Sequence, residues 1–306
     1  MLRSMYSGIS GMKNFQVKLD VIGNNIANVN TYGFKKGRTT FKDLVSQQIA
    51  GASAPDQTKG GVNAKQVGLG SQLSTIDTIH TQGSLQTTGR PLDLGISGDG
   101  YFIVGSGTFA NATTPVMTNP VMNFTRAGNF YLDQKGNLVN SDGMFVIGHP
   151  SDAPTTTPPI TNNITTTSFG KIVIPADAKS FSVGSDGVVN YVDGTSGALL
   201  KAGQIMMAKF PNNEGLEKIG ANLYKNTANS GALDGNKNGT GFEVADMFKP
   251  GSGGAGEVVA GTLEMSNVDL SEEFTEMIVA QRGFQANTRI ITTSDEILQE
   301  LVNLKR

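Results

Sequence analysis

The sequence predicts a mainly β middle region, a Gly-rich sandwich or barrel-like domain. Long N- and C-terminal α-helices flank it and form a coiled-coil-like core. Three observations lead there. Apolar residues recur at three- and four-residue steps in Met1 to about Asn28 and again from about Asp269 to Arg306. Between them, short apolar stretches are punctuated by Gly-bearing turns. The 306 residues include 39 glycines, which suits turn-rich β-structure better than long internal helices.

The N-terminal stripe is Leu2, Met5, Ile9, Met12, Phe15, Leu19, Ile22, Ile26 and Val29. One repeated three-residue step, Met12 to Phe15, reads as local overwinding. A stripe this narrow favours a partner helix over a globular core. Gly8, Gly11 and Gly23 interrupt it. Each costs about 1 kcal/mol against Ala in a helix interior. This helix is therefore expected to gain its order from packing, on joining a polymer.

At the other end Met277, Phe284, Ile291 and Leu298 recur every seven residues, and Ile290, Ile297 and Leu304 form a second row. Two rows make a stripe wider than a two-stranded contact needs, so more than one neighbour is expected. Asp269 can cap the start, with Glu272 and Glu273 in the first turn and Lys305 and Arg306 at the cation-favouring end. Nothing near either helix in sequence covers its stripe. The stripes must meet each other or other copies of the chain.

In the middle, Asn28–Gly33 reads as a break, Arg38–Ile49 as a short helix or an extended arm, and Ala50–Gly70 as a flexible loop. Ser71–His80 alternates like a strand. Leu92–Val104 reads as two short strands about a Gly98-Asp99-Gly100 turn. The pattern returns over Phe124–Ile147, with turns at Gln134-Lys135-Gly136 and Ser141-Asp142-Gly143, and at Ser185-Asp186-Gly187. Ser151–Ser168 is a Pro/Thr tract, Ser230–Gly256 is loose, and a last strand pair is expected near Glu257–Met265.

Composition removes several function classes. Charged residues are 16% and the net charge is −2, which supplies no electrostatic case for a nucleic-acid partner. Zero Cys excludes disulfides and a thiolate nucleophile. His80 and His149, the two histidines, have no ligand cluster at metal spacing. Asp234–Gly239 copies the first half of a calcium loop, but the closing Glu position is Ala245. The reading is therefore no catalytic residue, no cofactor, no metal and no small-molecule substrate. A rival is a secreted carbohydrate-binding β-sandwich, which an aromatic platform would support; with no Trp and 7% aromatics the case is thin. A coiled-coil adaptor leaves the β middle unexplained.

Three segments resemble a known family. Asp20–Lys35 reads DVIGNNIANVNTYGFK, Gly261–Asp269 reads GTLEMSNVD, and Ala280–Asn287 reads AQRGFQAN. The motif residues are Gly23, Asn24, Asn25, Ala27, Asn28, Gly33, Phe34, Lys35, Ser266, Asn267, Val268, Gln281 and Arg282. Their set and order resemble the bacterial flagellar hook and rod proteins, the axial proteins of the flagellum. Tyr32-Gly33-Phe34-Lys35 and the length of the middle look more like hook than distal rod; the distal rod protein, a stiff drive shaft, is the runner-up, because Ala50–Gly70 resembles segments that occur in rods too. The resemblance implies a homopolymer, a curved tube that works as a universal joint carrying motor torque. It implies terminal helices inside and β-domains outside. It also implies export without a cleaved signal through the flagellar export apparatus, and as partners the rod, the hook cap and the hook–filament junction proteins. The expected division is 1–30 with 268–306 as helical core and 31–70 as extended linker. It continues with 71–150 and 203–267 as inner β-domain and 151–202 as outer insertion.

Overall fold

The computed structural model describes residues 2–55, 59–109, 117–152, 163–165, 168–231 and 247–304. They form two compact units: Met1–Val29, Lys36–Ile79 and Val268–Arg306 in the first, Asn30–Lys35 and His80–Asn267 in the second. The Asp234–Gly239 motif, most of the Pro/Thr tract, and Lys305 and Arg306 lie outside the described residues.

In the first unit, helices α1 (Leu2–Ala27) and α2 (Leu270–Asn303) pack against each other. Asp269 caps α2 as its sequence suggests, its carboxylate accepting from the Ser271 and Glu272 amides. Gly37–Asp43 pairs antiparallel with Ser71–Thr78, from Gly37 opposite Thr78 to Asp43 opposite Ser71, with a bulge at Thr40/Phe41. The Arg38–Ile49 stretch is thus the extended arm and not the helix. Its β-branched and aromatic residues fit a strand, and Thr40 Oγ1 meets Thr75 Oγ1 across the pair at 2.6 Å. Ala50–Gly70 departs from the loop expected of it. Lys65–Val67 pairs with Gln47–Ala50, and a bridge joins Ser53 to Val62.

The second unit is built on an antiparallel sheet. Its spatial order is Ser180–Val183, Val188–Val192, Leu199–Ile205, Phe145–Pro150, Tyr101–Phe109, Met117–Thr125, Leu223–Lys225 and Glu217–Gly220. Side chains alternate between its faces, and both faces are covered. Phe102, Val104 and Val146 join one apolar cluster with Leu94, Phe130 and Ile205. Tyr101, Ile103 and Ile147 join another with Phe124, Phe210 and Tyr224. Burial on both sides is why Tyr101–Val104 reads as a continuous apolar run.

The three later turns fall where their glycines require. Gly136, Gly143 and Gly187 have φ of 76°, 78° and 76°. Before each, an Asp or Asn side chain accepts backbone amides: Asp133 from Lys135 and Asn137, Asn140 from Asp142 and Met144, Asp186 from Val188. Strand pairing differs from expectation at two places. Leu94–Ser97 does not fold back on Tyr101–Phe109 but pairs with Glu257–Ala260, because both edges of Tyr101–Phe109 are already occupied. Likewise Thr262–Glu264 pairs with Leu85–Thr87 rather than with the strand before it.

Candidate functional site

The α1–α2 contact is set by small residues. A Cβ on Gly8 would lie 3.3 Å from Ile291, one on Gly11 2.8 Å from the Asn287 amide, and one on Gly283 2.5 Å from the Phe15 ring. These pairings run in opposite directions along the two helices, so the pair is antiparallel. The glycines that weaken α1 alone are thus the ones that let α2 approach; Gly23 has nothing within 4 Å and lacks this role. On α2 the most covered positions are Glu273, Ala280 and Ser294, with Asn287 half-buried in the same seven-residue series. That row is small or polar, and its spacing alone would not mark it as an interface.

The expected assembly residues divide into two sets. Met5, Met12, Phe15, Leu19 and Ile26 are half-buried, Ile22 is buried and Ile9 is exposed; the Leu2 side chain lies outside the described set. Met277, Phe284, Ile291 and Leu298 are half-buried. Ile290 and Ile297 stand 44% and 48% exposed, joined on α2 by Phe274, Ile278, Val279, Leu301, Val302 and Leu304. The sequence reading did not single out Phe274, Ile278, Val279, Leu301 or Val302. Of the motif residues, Asn24, Ala27, Gln281 and Arg282 are exposed, Asn28 is half-buried, and Asn25 is buried.

Asn25 ties three elements of the first unit. Its Oδ1 accepts from the Gly37 amide at 2.9 Å, and its Nδ2 donates to the Gly37 carbonyl at 2.9 Å and to Glu273 Oε2 at 3.1 Å. Burial raises the Glu273 pKa above the usual carboxylate range, partly offset by the Asn25 bond. Beside it Lys36 pairs with Glu272 at 2.7 Å and Lys18 with Glu276 at 3.0 Å, around a cavity of about 280 Å³. Further along α2 the hydroxyls turn inward on their own helix. Thr275, Thr288, Thr293 and Ser294 each donate to the carbonyl four residues back, and Thr292 donates to the Arg289 carbonyl.

The two family segments YGFK and GTLEMSN, far apart in sequence, meet inside the second unit. Lys35 Nζ lies 2.6 Å from Glu264 Oε1, and Arg126 Nη1 lies 3.3 Å from Glu264 Oε2. All three side chains are essentially out of solvent, at 1%, 0% and 3% exposed. Lys35 also donates to the Thr81 carbonyl at 2.8 Å, and Glu264 Oε1 accepts the Gly83 amide at 3.0 Å. Desolvation lowers the Lys35 pKa, and the Glu264 charge opposes that shift. Gly33, at φ 69°, sits so near this cluster that a Cβ would come within 2.6 Å of the Ala127 amide nitrogen. Of the nearby motif residues, Phe34 lies under Lys218 at 4.9 Å, while Ser266, Asn267 and Val268 are half-buried. Glu264 and Arg126 escaped the sequence reading, since a Glu in a strand and an Arg after one read as solvated.

Both histidines are held in hydrogen bonds. The Tyr101 hydroxyl lies 2.7 Å from His80 Nδ1, and His149 Nδ1 meets the Ser168 carbonyl at 3.0 Å. Burial, then the charges of Lys35, Lys218 and Arg126, push His80 down to about 4. Among the described residues no group of His, Asp and Glu has metal-binding geometry, and no helix is long and apolar enough to cross a membrane.

Comparison with known proteins fits this geometry. Residues 5–35 match the family described as "Flagella basal body rod protein", 95–191 the "Flagellar hook protein FlgE/F/G D1 domain", and 259–304 the "Flagellar basal body rod FlgEFG protein C-terminal". The chain is 56% identical to the flagellar basal-body rod protein FlgG of Bacillus subtilis over 306 residues, covering 100% of both chains. It is 31% identical to the flagellar hook protein FlgE of Borreliella burgdorferi over 453 aligned positions, and 35% identical to that organism's rod protein FlgG over 312, again covering 100% of each chain. With the terminal segments on its helix pair and the middle on its β unit, this chain belongs to the FlgE/F/G family of flagellar rod and hook proteins, structural components of the flagellum.

Proposed function

We propose that the chain is a subunit of the distal rod, polymerising into a stiff, straight drive shaft. This replaces the hook reading that the Tyr32–Lys35 motif and the middle length suggested. The rod relative from Bacillus subtilis aligns end to end over 306 positions, whereas the hook relative from Borreliella burgdorferi needs 453. This chain therefore lacks the extra length of that hook protein.

The observation that carries polymerisation is the apolar surface that α1 leaves uncovered on α2. Phe274, Ile278, Ile290, Ile297 and Leu301 stay exposed although α1 already packs on the same helix. Apolar area of this kind is stabilising only when covered, at about 25 cal/mol per Å². Copies of the same chain, stacked around a common axis, would cover it with helices of their own. Met277, Phe284, Ile291 and Leu298 then hold the pair within a subunit, while Ile290 and Ile297 serve the contact between subunits. On this reading the other partners are the axial proteins at either end of the shaft. The flagellar export apparatus delivers the chain.

Electron microscopy of purified full-length protein, concentrated under polymerising conditions, tests it. Straight, stiff tubes are expected. Curved tubes would restore the hook reading, and a protein that stays monomeric at high concentration would overturn both.

A further inference from the structure

We infer that Lys35, Glu264 and Arg126 form a lock that holds every place where the chain enters or leaves the second unit as one rigid block. The second unit consists of Asn30–Lys35 and His80–Asn267, so the chain crosses its border four times: before Asn30, after Lys35, before His80 and after Asn267. The three segments that bear these crossings are bonded to one another through the buried cluster. Lys35 joins the first segment to Thr81 in the second and to Glu264 in the third. Glu264 reaches back to both, its carboxylate accepting from Gly83 and its carbonyl from the Gly33 amide at 2.8 Å. Asn267 closes the ring, its amide donating to the Phe34 carbonyl and its side chain to Thr81 Oγ1 at 3.0 Å.

Three further bonds anchor the ring to the body of the unit. Arg126 donates to the Gly98 carbonyl at 2.8 Å, Lys218 to the Lys35 carbonyl at 2.9 Å, and Asn222 to the Tyr32 carbonyl at 3.1 Å.

The chemistry of the cluster explains why it is ionic. A buried ion pair gains little net stability over an apolar replacement, but it is strict about geometry, since displacing one partner strands the other's charge away from water. Apolar contacts can slide by a fraction of a side chain at small cost. A Lys–Glu–Arg cluster shut off from solvent cannot. Segments tied through it hold together or release together, so load arriving along one crossing is shared by all. The lock is a property of the single chain, so it stands or falls separately from the rod assignment.

Hydrogen exchange on the full-length chain tests it, with Glu264→Gln and Lys35→Met compared with the parent. In both variants the Gly33, Gly83 and Asn267 amides should exchange together, about tenfold faster or more, while the Phe102, Val104 and Ile147 amides keep their parent rates. Unchanged exchange at the crossing segments would overturn the inference. So would loss at only one segment, because the three would then not act as a unit. If both variants unfold throughout, the cluster is an ordinary part of the core and the inference also falls.

Discussion

The two units handle apolar surface in opposite ways. Among the described residues, the buried apolar ones other than Ile22 and Ala280 belong to the second unit, where all but Ala255 and Leu263 form two clusters on the two faces of one sheet. Among the exposed large apolar residues, all but Val121, Tyr131, Leu132, Leu199 and Ile219 belong to the first. The second unit therefore has the core of a self-sufficient domain. The first has a helix pair whose inner contact is made by Gly8, Gly11, Gly283 and Asn287, with much of its apolar surface facing outward. On the proposed reading, stability and assembly are carried by different residues, and that contrast is open to attack at both ends.

The heaviest blow is removal of Val268–Arg306. Tube formation should vanish completely, while the β unit keeps its strand signal in circular dichroism and a cooperative melt. Collapse of the β unit would break the comparison. Next come paired substitutions read by denaturant unfolding of the monomer. Phe102→Ala, at a site with no solvent exposure, should cost about 3–5 kcal/mol. Ile290→Ala, at 44% exposure, should change monomer stability by about 0.5 kcal/mol or less, yet raise the concentration needed for tubes.

A smaller effect is expected where the helices touch. Gly283→Val places side-chain atoms where the Phe15 ring lies and should destabilise the helix pair by about 1–3 kcal/mol, leaving the β unit unaffected. A comparable effect is a pH dependence confined to the second unit. His80 binds its proton near 6.5 when unfolded but only at about 4 when folded. Its contribution is fully present above pH 6.5 and is lost as pH falls toward 4, by at most about 1.4 kcal/mol per pH unit. His80→Gln, which can still hydrogen-bond to Tyr101, should flatten that slope in thermal melts at pH 7, 6 and 5.

Much of this was legible in the sequence because it rests on local chemistry. The helix spans follow from apolar periodicity, the α2 start from Asp269, and the turns from Gly136, Gly143 and Gly187 with the Asp or Asn before each. What stayed hidden depends on residues distant in the chain. Nothing local tells Leu94–Ser97 to pair with Glu257–Ala260, or Glu264 to give up water for Lys35 and Arg126. Gly8 and Gly11 were read by their backbone cost, which is a local quantity; their benefit appears only once Asn287 and Ile291 lie opposite. Likewise Ala50–Gly70 has loop-like composition, and its pairing with Gln47–Ala50 is made by backbone bonds that composition does not report. The proposed preference for rod over hook rests on chain length, which has meaning only beside relatives.

Thr275, Thr288, Thr292, Thr293 and Ser294 spend their protons on carbonyls of their own helix. Hydration of these hydroxyls is therefore dispensable. When neighbours crowd in and expel the solvent, these side chains present methyl and methylene groups to the newcomer and leave no donor stranded. An interface built on such a helix can thus be dry at these positions although its composition looks polar.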